Sequence, residues 1–355
     1  MKKYAVRLLV AAAVLLCLCT AARAGLAEDA RDAVPESARE LLGDASVGDE
    51  GLFDKIGAAA GDMFFGSLRS AAGTGAAVLT AAAVCALLSA AFPGEETPQY
   101  VDTAGALAIA AVSLGSLTSF TGLAKETLGD LSVFSASLLP CLASAAAFAG
   151  ETASGAARYA ASSFFMSVLL TLSERLIMPL VGAFIAAAVA DAAVGGGMLR
   201  GAAGVMKWVS TLALTAVTAA FAVTINVTGA VAASTDAAAI RAVKTAMSAS
   251  LPVAGSIIAD AAGSVLGGAA ALKAAIGAFG LAAAAACCVG PVLKLAAYLL
   301  VYKAAAALAG PIAGPRLSGL LGDLGTAFGL LLGLVGSACV VLFIAVTAAM
   351  KTVVW

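Results

Sequence analysis

Of the 355 residues, 62% are hydrophobic and 12% charged, against about 45–50% apolar and about 25% charged in a soluble domain, so the chain is a polytopic membrane protein that lives in a lipid bilayer. A net charge of −1 leaves no basic surface for nucleic acid. The absence of histidine removes the commonest general base and metal ligand, which leaves catalysis dependent on carboxylates, lysines or thiols and makes an enzyme the weaker class; no cofactor or metal is expected.

Residues 1–24 carry Lys2, Lys3 and Arg7, an apolar run from Leu8 to Cys19, and Ala22, Arg23 and Ala24 in the small-x-small pattern of a signal peptidase site. A signal peptide is expected, with export of the residues after Ala24. Residues 25–66 hold ten acids against three bases, a composition that stays in water. Leu41, Leu42, Leu52, Phe53 and Ile56 recur at roughly helical spacing. This acidic extracytoplasmic arm is either a docking arm or a solvated spacer.

Residues 67–235 read as N-terminal membrane helices. Ser70 to Phe92 covers about 34 Å as a helix, enough for a hydrocarbon core of about 30 Å, and Pro93 and Gly94 end it. Val101 to Leu123 and Leu131 to Ala149 are the next two expected spans, separated by a polar turn from Lys125 to Asp130 and closed by Gly150 and Glu151. Tyr159 to Ala190 contains Glu174, Arg175 and Pro179. It is one long kinked helix or an interfacial helix leading into a span from Leu176, and its charges must reach water or another helix. Gly195 to Gly197 form a connector, and Lys207 and Trp208 mark an interface before a span from Val209 to Ala232. Thr211, Thr215, Thr218 and Asn226 make one polar stripe on that span, which helix packing explains.

Residues 236–355 read as a C-terminal membrane region with broken helices and a final span. Asp236, Arg241 and Lys244 lead into Pro252 and Gly255. With Gly263, Gly267 and Gly268, these make 251–271 a poor straight helix and a fair broken or re-entrant segment. Gly263 and Gly267 form a G-x-x-x-G that permits close helix approach. Asp260 shares a face with Ser256 and Ser264, and must face water, pair with a cation such as Lys273 or Lys294, or stay protonated. A helix from Ala274 to Tyr302 is expected to bend at Pro291. Lys294 and Lys303 either snorkel to an interface or line a pore. Gly310 to Arg316 is a turn containing Pro311, Leu317 to Asp323 a short amphipathic piece, and Thr326 to Met350 the final span. The seven cysteines all lie in apolar runs without zinc or thioredoxin-like spacing, and read as small hydrophobes.

The order and spacing of Ile240, Arg241 and Lys244, of Ser250, Pro252, Gly255 and Asp260, of Val265, Gly267 and Gly268, and of Gly277, Gly280, Pro291, Lys294, Tyr302, Lys303 and Pro311 resemble the stage III sporulation protein AE family. The resemblance covers roughly residues 201–350. It departs at Ala237, where the family pattern favours glycine after the aspartate. It implies an endospore former and a place in the mother-cell membrane around the engulfed forespore, in a channel or secretion-like complex. The partners it implies are a secretion-type ATPase, ring-forming membrane proteins and a forespore membrane protein. No catalytic activity goes with the family.

The expected fold is all-α: about seven transmembrane helices after the signal peptide, with the mature N-terminus outside and the C-terminus cytoplasmic. Candidate hinge or polar-path residues are Pro252, Gly255, Asp260, Gly267, Lys294, Lys303 and Pro311. Three functions fit: a subunit of the sporulation channel complex, a stand-alone secondary transporter, and a structural anchor of the complex.

Overall fold

The computed structural model describes residues 34, 35, 39, 52–91, 97–195, 197–250 and 255–351, with main chain alone at 52–56, 97–99, 244, 246–250 and 255–262. The expected signal peptide, most of the acidic arm and Pro252 lie outside the described residues.

The described chain is helical, without strands. Helices α1 (Leu52–Ala91) and α2 (Thr97–Phe148) are followed by α3 (Thr152–Leu172), a π turn (Ser173–Ile177) and α4 (Met178–Val194), which run on as one rod; α5 (Arg200–Ser250) and α6 (Gly255–Met350) complete the fold. Five of these rods are long and apolar enough to cross a membrane. The last of them, α6, is a hairpin: Gly314 takes φ 78° and ψ 175° inside it, a left-handed φ that a side chain would resist. Pro315 opens the returning arm, the position where a missing N–H costs nothing.

Three ties fix the register of the hairpin. Cys288 and Cys339 form a disulfide with Cα atoms 6.5 Å apart. Lys303 Nζ donates to Thr326 Oγ1 at 2.8 Å and to the Gly322 carbonyl at 2.7 Å. The Tyr302 and Phe328 rings stack with centroids 5.0 Å apart. All these pairs stand nearly equidistant from Gly314, so residues 255–313 and 315–350 lie antiparallel along their length.

The returning arm is the centre of the bundle. Leu317, Leu321, Leu324, Phe328, Leu331, Val335, Ala338 and Leu342 are all almost fully buried, a 3–4 residue recurrence with little lipid-facing surface left between. Around it, Phe120 of α2 meets Tyr298 at 4.4 Å and Phe328 at 5.5 Å. Tyr302 donates its hydroxyl hydrogen to Ser113 Oγ at 3.0 Å, so a buried phenol is satisfied from α2.

Several expectations are corrected. The second and third expected spans are one helix, the 52 residues of α2. Ala124, Thr127, Leu128, Leu131 and Phe134 are buried at helical spacing while Lys125 and Glu126 point outward. A polar stretch with an intact apolar face does not end a helix. Glu174 and Arg175 sit in the π turn of one continuous rod, which decides for the long kinked helix. Pro179 cannot donate to the carbonyl four residues earlier, and the ladder loosens just before it. From Gly255 onward the segment expected to be broken is continuous helix, and among the described residues no atom would meet a Cβ at Gly263 or Gly267, so their G-x-x-x-G packs against no described neighbouring helix. The turn before the final span narrows to Gly314. Cys288 and Cys339 are bonded, because the hairpin brings together two residues 51 apart in sequence; Cys85, Cys141 and Cys287 are buried, as small hydrophobes.

Direction alternates from rod to rod. Thr103 Oγ1 of α2 donates to the Ala193 carbonyl at the end of α4, and the Phe165 ring of α3 meets Phe221 of α5 at 5.3 Å. Met63 and Gly75 of α1 lie against Gly290 and Val301 of α6, so α1 runs parallel to the first arm. With α2 a single rod, one crossing fewer separates the ends than expected, and the start of α1 and the end of α6 lie at the same end of the bundle.

Phe328→Ala should remove the ring on which Phe120, Tyr298 and Tyr302 converge and cost about 3–5 kcal/mol. Thermal unfolding in detergent should show this loss, while Trp208→Ala, at a residue 62% exposed, should leave the midpoint within about 0.5 kcal/mol of the parent.

Candidate functional site

The end of the bundle where α2 turns into α3 holds the densest buried polar chemistry among the described residues. Gly150, at φ 81°, makes the turn and leaves Glu151 ahead of α3. A Cβ on Gly150 would lie 2.9 Å from Ile240 Cδ1 and 3.3 Å from Leu266 Cδ2, so α5 and α6 close over the turn and leave room only for glycine. Glu151 is 1% exposed and accepts from Lys273 Nζ of α6 at 2.7 Å; Lys273 is itself 0% exposed. About two turns into α3, Arg158 places Nη1 3.8 Å from the same Glu151 oxygen.

Both cations also reach the end of α6. Lys273 Nζ donates to the Lys351 carbonyl at 3.2 Å and Arg158 Nη1 to the same oxygen at 3.3 Å. That carbonyl follows the last turn of α6, where helix carbonyls lack partners and the macrodipole is negative. Two cations on a helix C-terminus are therefore favourable. Arg158 passes over Gly229 of α5, whose Cβ would stand 3.3 Å from Nε.

The first N–H groups of α3 have a partner from another helix. Glu151, at the cap position, makes no side-chain cap. Instead Asp236 of α5, 3% exposed, accepts from Ala153 N at 2.9 Å and Ser154 N at 2.8 Å. A carboxylate on the orphan donors of a helix N-terminus is a charge-assisted cap. The cluster is balanced: two acids, Glu151 and Asp236, and two bases, Arg158 and Lys273, drawn from α3 with its leading turn, α5 and α6. Chemically it is a clasp. Its carboxylates and ammonium are engaged, while the buried Arg158 Nε and Ser154 Oγ have no hydrogen-bond partner among the described residues, and no group of three or more metal-ligating side chains exists among them.

The opposite end is charged but open. Arg316, just past the hairpin, lies 3.9 Å from Asp102 at the start of α2, and its guanidinium packs against Gly195. Asp191 Oδ1 accepts from Leu199 N at 3.1 Å and so closes the glycine connector. A cavity of about 200 Å³ opens here, lined by Asp191, Arg200, Arg316 and Asp323.

The residues singled out from sequence do not converge. Pro252 lies outside the described residues, Gly255 begins α6, and Asp260 lies in its first turns with only its main chain described. Gly267 and Lys294 are exposed. Lys303 binds across the hairpin to Gly322 and Thr326, and exposed Pro311 precedes Gly314. Asp260 and Gly267 therefore stand at one end of the first arm, Lys303 and Pro311 at the other. Sequence reasoning missed the clasp. Glu151 reads there only as a span terminator and Lys273 only as a partner for Asp260. The available signal was Arg158, a lone arginine near the start of a long apolar helix, which demands a partner.

A family model described as Stage III sporulation protein AE matches residues 37–352. The chain belongs to that family. The match takes in the N-terminal rods as well as the 201–350 region that carries the resemblance in sequence, so the clasp, with Glu151 and Arg158 on one side and Asp236 and Lys273 on the other, lies wholly inside the stage III sporulation protein AE region. No curated protein and no solved structure matches the chain.

Because one carboxylate serves both bases, the clasp should respond asymmetrically to substitution. Glu151→Gln strands Lys273 and Arg158 together and should cost about 3–5 kcal/mol, the range for breaking a buried ion pair. Lys273→Met leaves Glu151 beside Arg158 and should cost less. The double variant should be more stable than Glu151→Gln alone. Detergent melting curves for the three variants check this order, and strict additivity would refute the coupling.

Proposed function

We propose that this chain is a membrane subunit of the channel or secretion-like complex that links the mother cell to the engulfed forespore, seated in the mother-cell membrane around the forespore and supporting forespore development. Family membership supplies the sporulation setting. The observation that carries a role within an assembly is helix length. α2 has 52 residues and α5 has 51, about 75–78 Å each at about 1.5 Å per residue, against a hydrocarbon core of about 30 Å. Rods of that length stand well clear of the bilayer and offer side-on surface to proteins outside it.

The partners that suit such a subunit are a secretion-type ATPase, which would supply the energy, ring-forming membrane proteins on the far side, and a forespore membrane protein meeting the ring. The chain itself performs no covalent step. Its part is to hold a membrane passage or its supporting frame in a fixed shape, for which tied helix ends are suited.

Deletion of the chain in an endospore-forming host should arrest forespore development after engulfment, and a tagged copy should co-purify with the ATPase and the ring proteins. Recovery of the chain alone, together with solute uptake by the purified protein in liposomes, would replace this function with that of a stand-alone transporter.

A further inference from the structure

The outward side of α5 is apolar and open: Leu212, Val223, Val227 and Val231 are each at least half exposed. Beside it, between α5 and the returning arm of α6, runs a groove of about 480 Å³, lined by Thr211, Thr215 and Thr218 on one side and Gly329, Gly333 and Ser337 on the other. That volume falls within the range of about 300–1,000 Å³ typical of ligand sites. Three of its four hydroxyls, those of Thr211, Thr218 and Ser337, bond carbonyls of their own helices. The lining therefore suits an apolar occupant.

The groove is one leaflet long. From Thr211 to Ala222 it covers about 17 Å of α5 at about 1.5 Å per residue, against about 15 Å for half of a hydrocarbon core of about 30 Å. Beyond Ala222 the same face of α5 is taken by the chain itself: Ile225 is 2% exposed, Gly229 lies under Arg158, and Asp236 caps α3. A helix crossing the whole bilayer cannot follow the groove to its end and onward, whereas an acyl chain needs no more than this length.

Cations gather where the groove begins, at the hairpin end. Lys207, exposed, stands one turn before Thr211 on the same face of α5, beside exposed Trp208, a pairing characteristic of the membrane interface. Lys303, also exposed, places Nζ 2.8 Å from Thr326 Oγ1, one turn before Gly329, and lies within electrostatic reach of Lys207. Two of its three N–H groups are used, on Gly322 and Thr326. Arg200 adds a third base, while Asp323 and Asp191 are the acids nearby; Arg316 is turned to Asp102. Three bases against two acids leave a positive surplus at the mouth of an apolar groove. We propose that this groove binds an anionic phospholipid of the leaflet at the hairpin end, with one acyl chain between α5 and the returning arm and the phosphate between Lys207 and Lys303. The site does not depend on the channel-subunit function proposed above. Bound there, the lipid fills the gap between α5 and the centre of the bundle.

A phosphatidylglycerol carrying a photoreactive diazirine on one acyl chain tests this on the full chain in mild detergent. It should label Thr215, Thr218, Gly333 and Ser337 severalfold more than Leu212 and Val223 on the outward side of α5. Even labelling of all these residues marks annular lipid only and overturns the site. Lys207→Gln, which leaves the Lys303 tie across the hairpin in place, should weaken labelling by phosphatidylglycerol about fivefold, the weight of one lysine near an anionic headgroup. Labelling by the matching phosphatidylcholine should be weaker in the parent chain and unmoved by that variant; equal labelling by the two lipids overturns the anionic headgroup. Gly333→Leu fills the groove, where a Cβ would meet only Leu214 Cδ1 at 3.9 Å, and should abolish labelling by both lipids; persistent labelling there overturns the seat of the acyl chain. Excess inorganic phosphate should not displace the lipid, and displacement would show a phosphate site without a chain. In membranes from sporulating cells, benzoylphenylalanine in place of Thr215 should capture lipid. Capture of a polypeptide instead would put a partner's helix in the groove and overturn the proposal.

Discussion

The bond on which the rest of the fold depends is the one between Glu151 and Lys273. In lipid, apolar side chains gain nothing by leaving one surface for another, so helices associate through close packing and polar bonds. This chain is rich in alanine and glycine, whose smooth helices leave sliding and rotation weakly opposed. An ion pair 2.7 Å long with both partners buried admits only one register. It fixes α6 against the start of α3, and Arg158 and Asp236 bring in the end of α6 and α5 at the same level. Buried charges contribute little net stability, since desolvation offsets most of the attraction. What the cluster supplies here is registry.

The hairpin at Gly314 completes the constraint from the other end. Once residues 315–350 return along 255–313, the position of the end of α6 follows from the position of the turn, and the Lys351 carbonyl arrives where Lys273 and Arg158 can reach it. The disulfide, the Lys303 bonds and the stack of Tyr302 on Phe328 each support the same pairing at a different height. Such mutual agreement between turn chemistry, packing and polar bonds is what gives one arrangement an energy gap over slipped alternatives.

Hydropathy made the membrane class, the all-helical fold and the glycine connector at 195–197 legible from sequence, because each depends on local composition. It misplaced the boundaries that depend on neighbours. Lys125 to Asp130 looks like a turn until Thr127 and Leu128 are known to be buried against another helix. Glu151 looks like the end of a span because its partner lies 122 residues away. Asp236 looks like the start of an amphipathic helix, yet its carboxylate caps α3, 82 and 83 residues earlier. A sequence pattern of period 3.6 reports which face is buried and is silent on what buries it.

The level of the clasp also bears on what the family-like motif around Asp260 has to do. If the clasp marks one headgroup level, Asp260 lies about 20 Å beyond it along α6, past the hydrocarbon rather than within it. Ile240 and Leu266 closing over Gly150 agree, since they place the facing parts of α5 and α6 on the outer side of the α2–α3 turn. Gly267, exposed and with open space where its Cβ would be, then belongs to a pair of helices projecting from the bilayer. Small residues on a projecting helix leave room for another backbone to come close. The constraint recorded by that motif is accordingly sought in what approaches the bundle from outside the membrane.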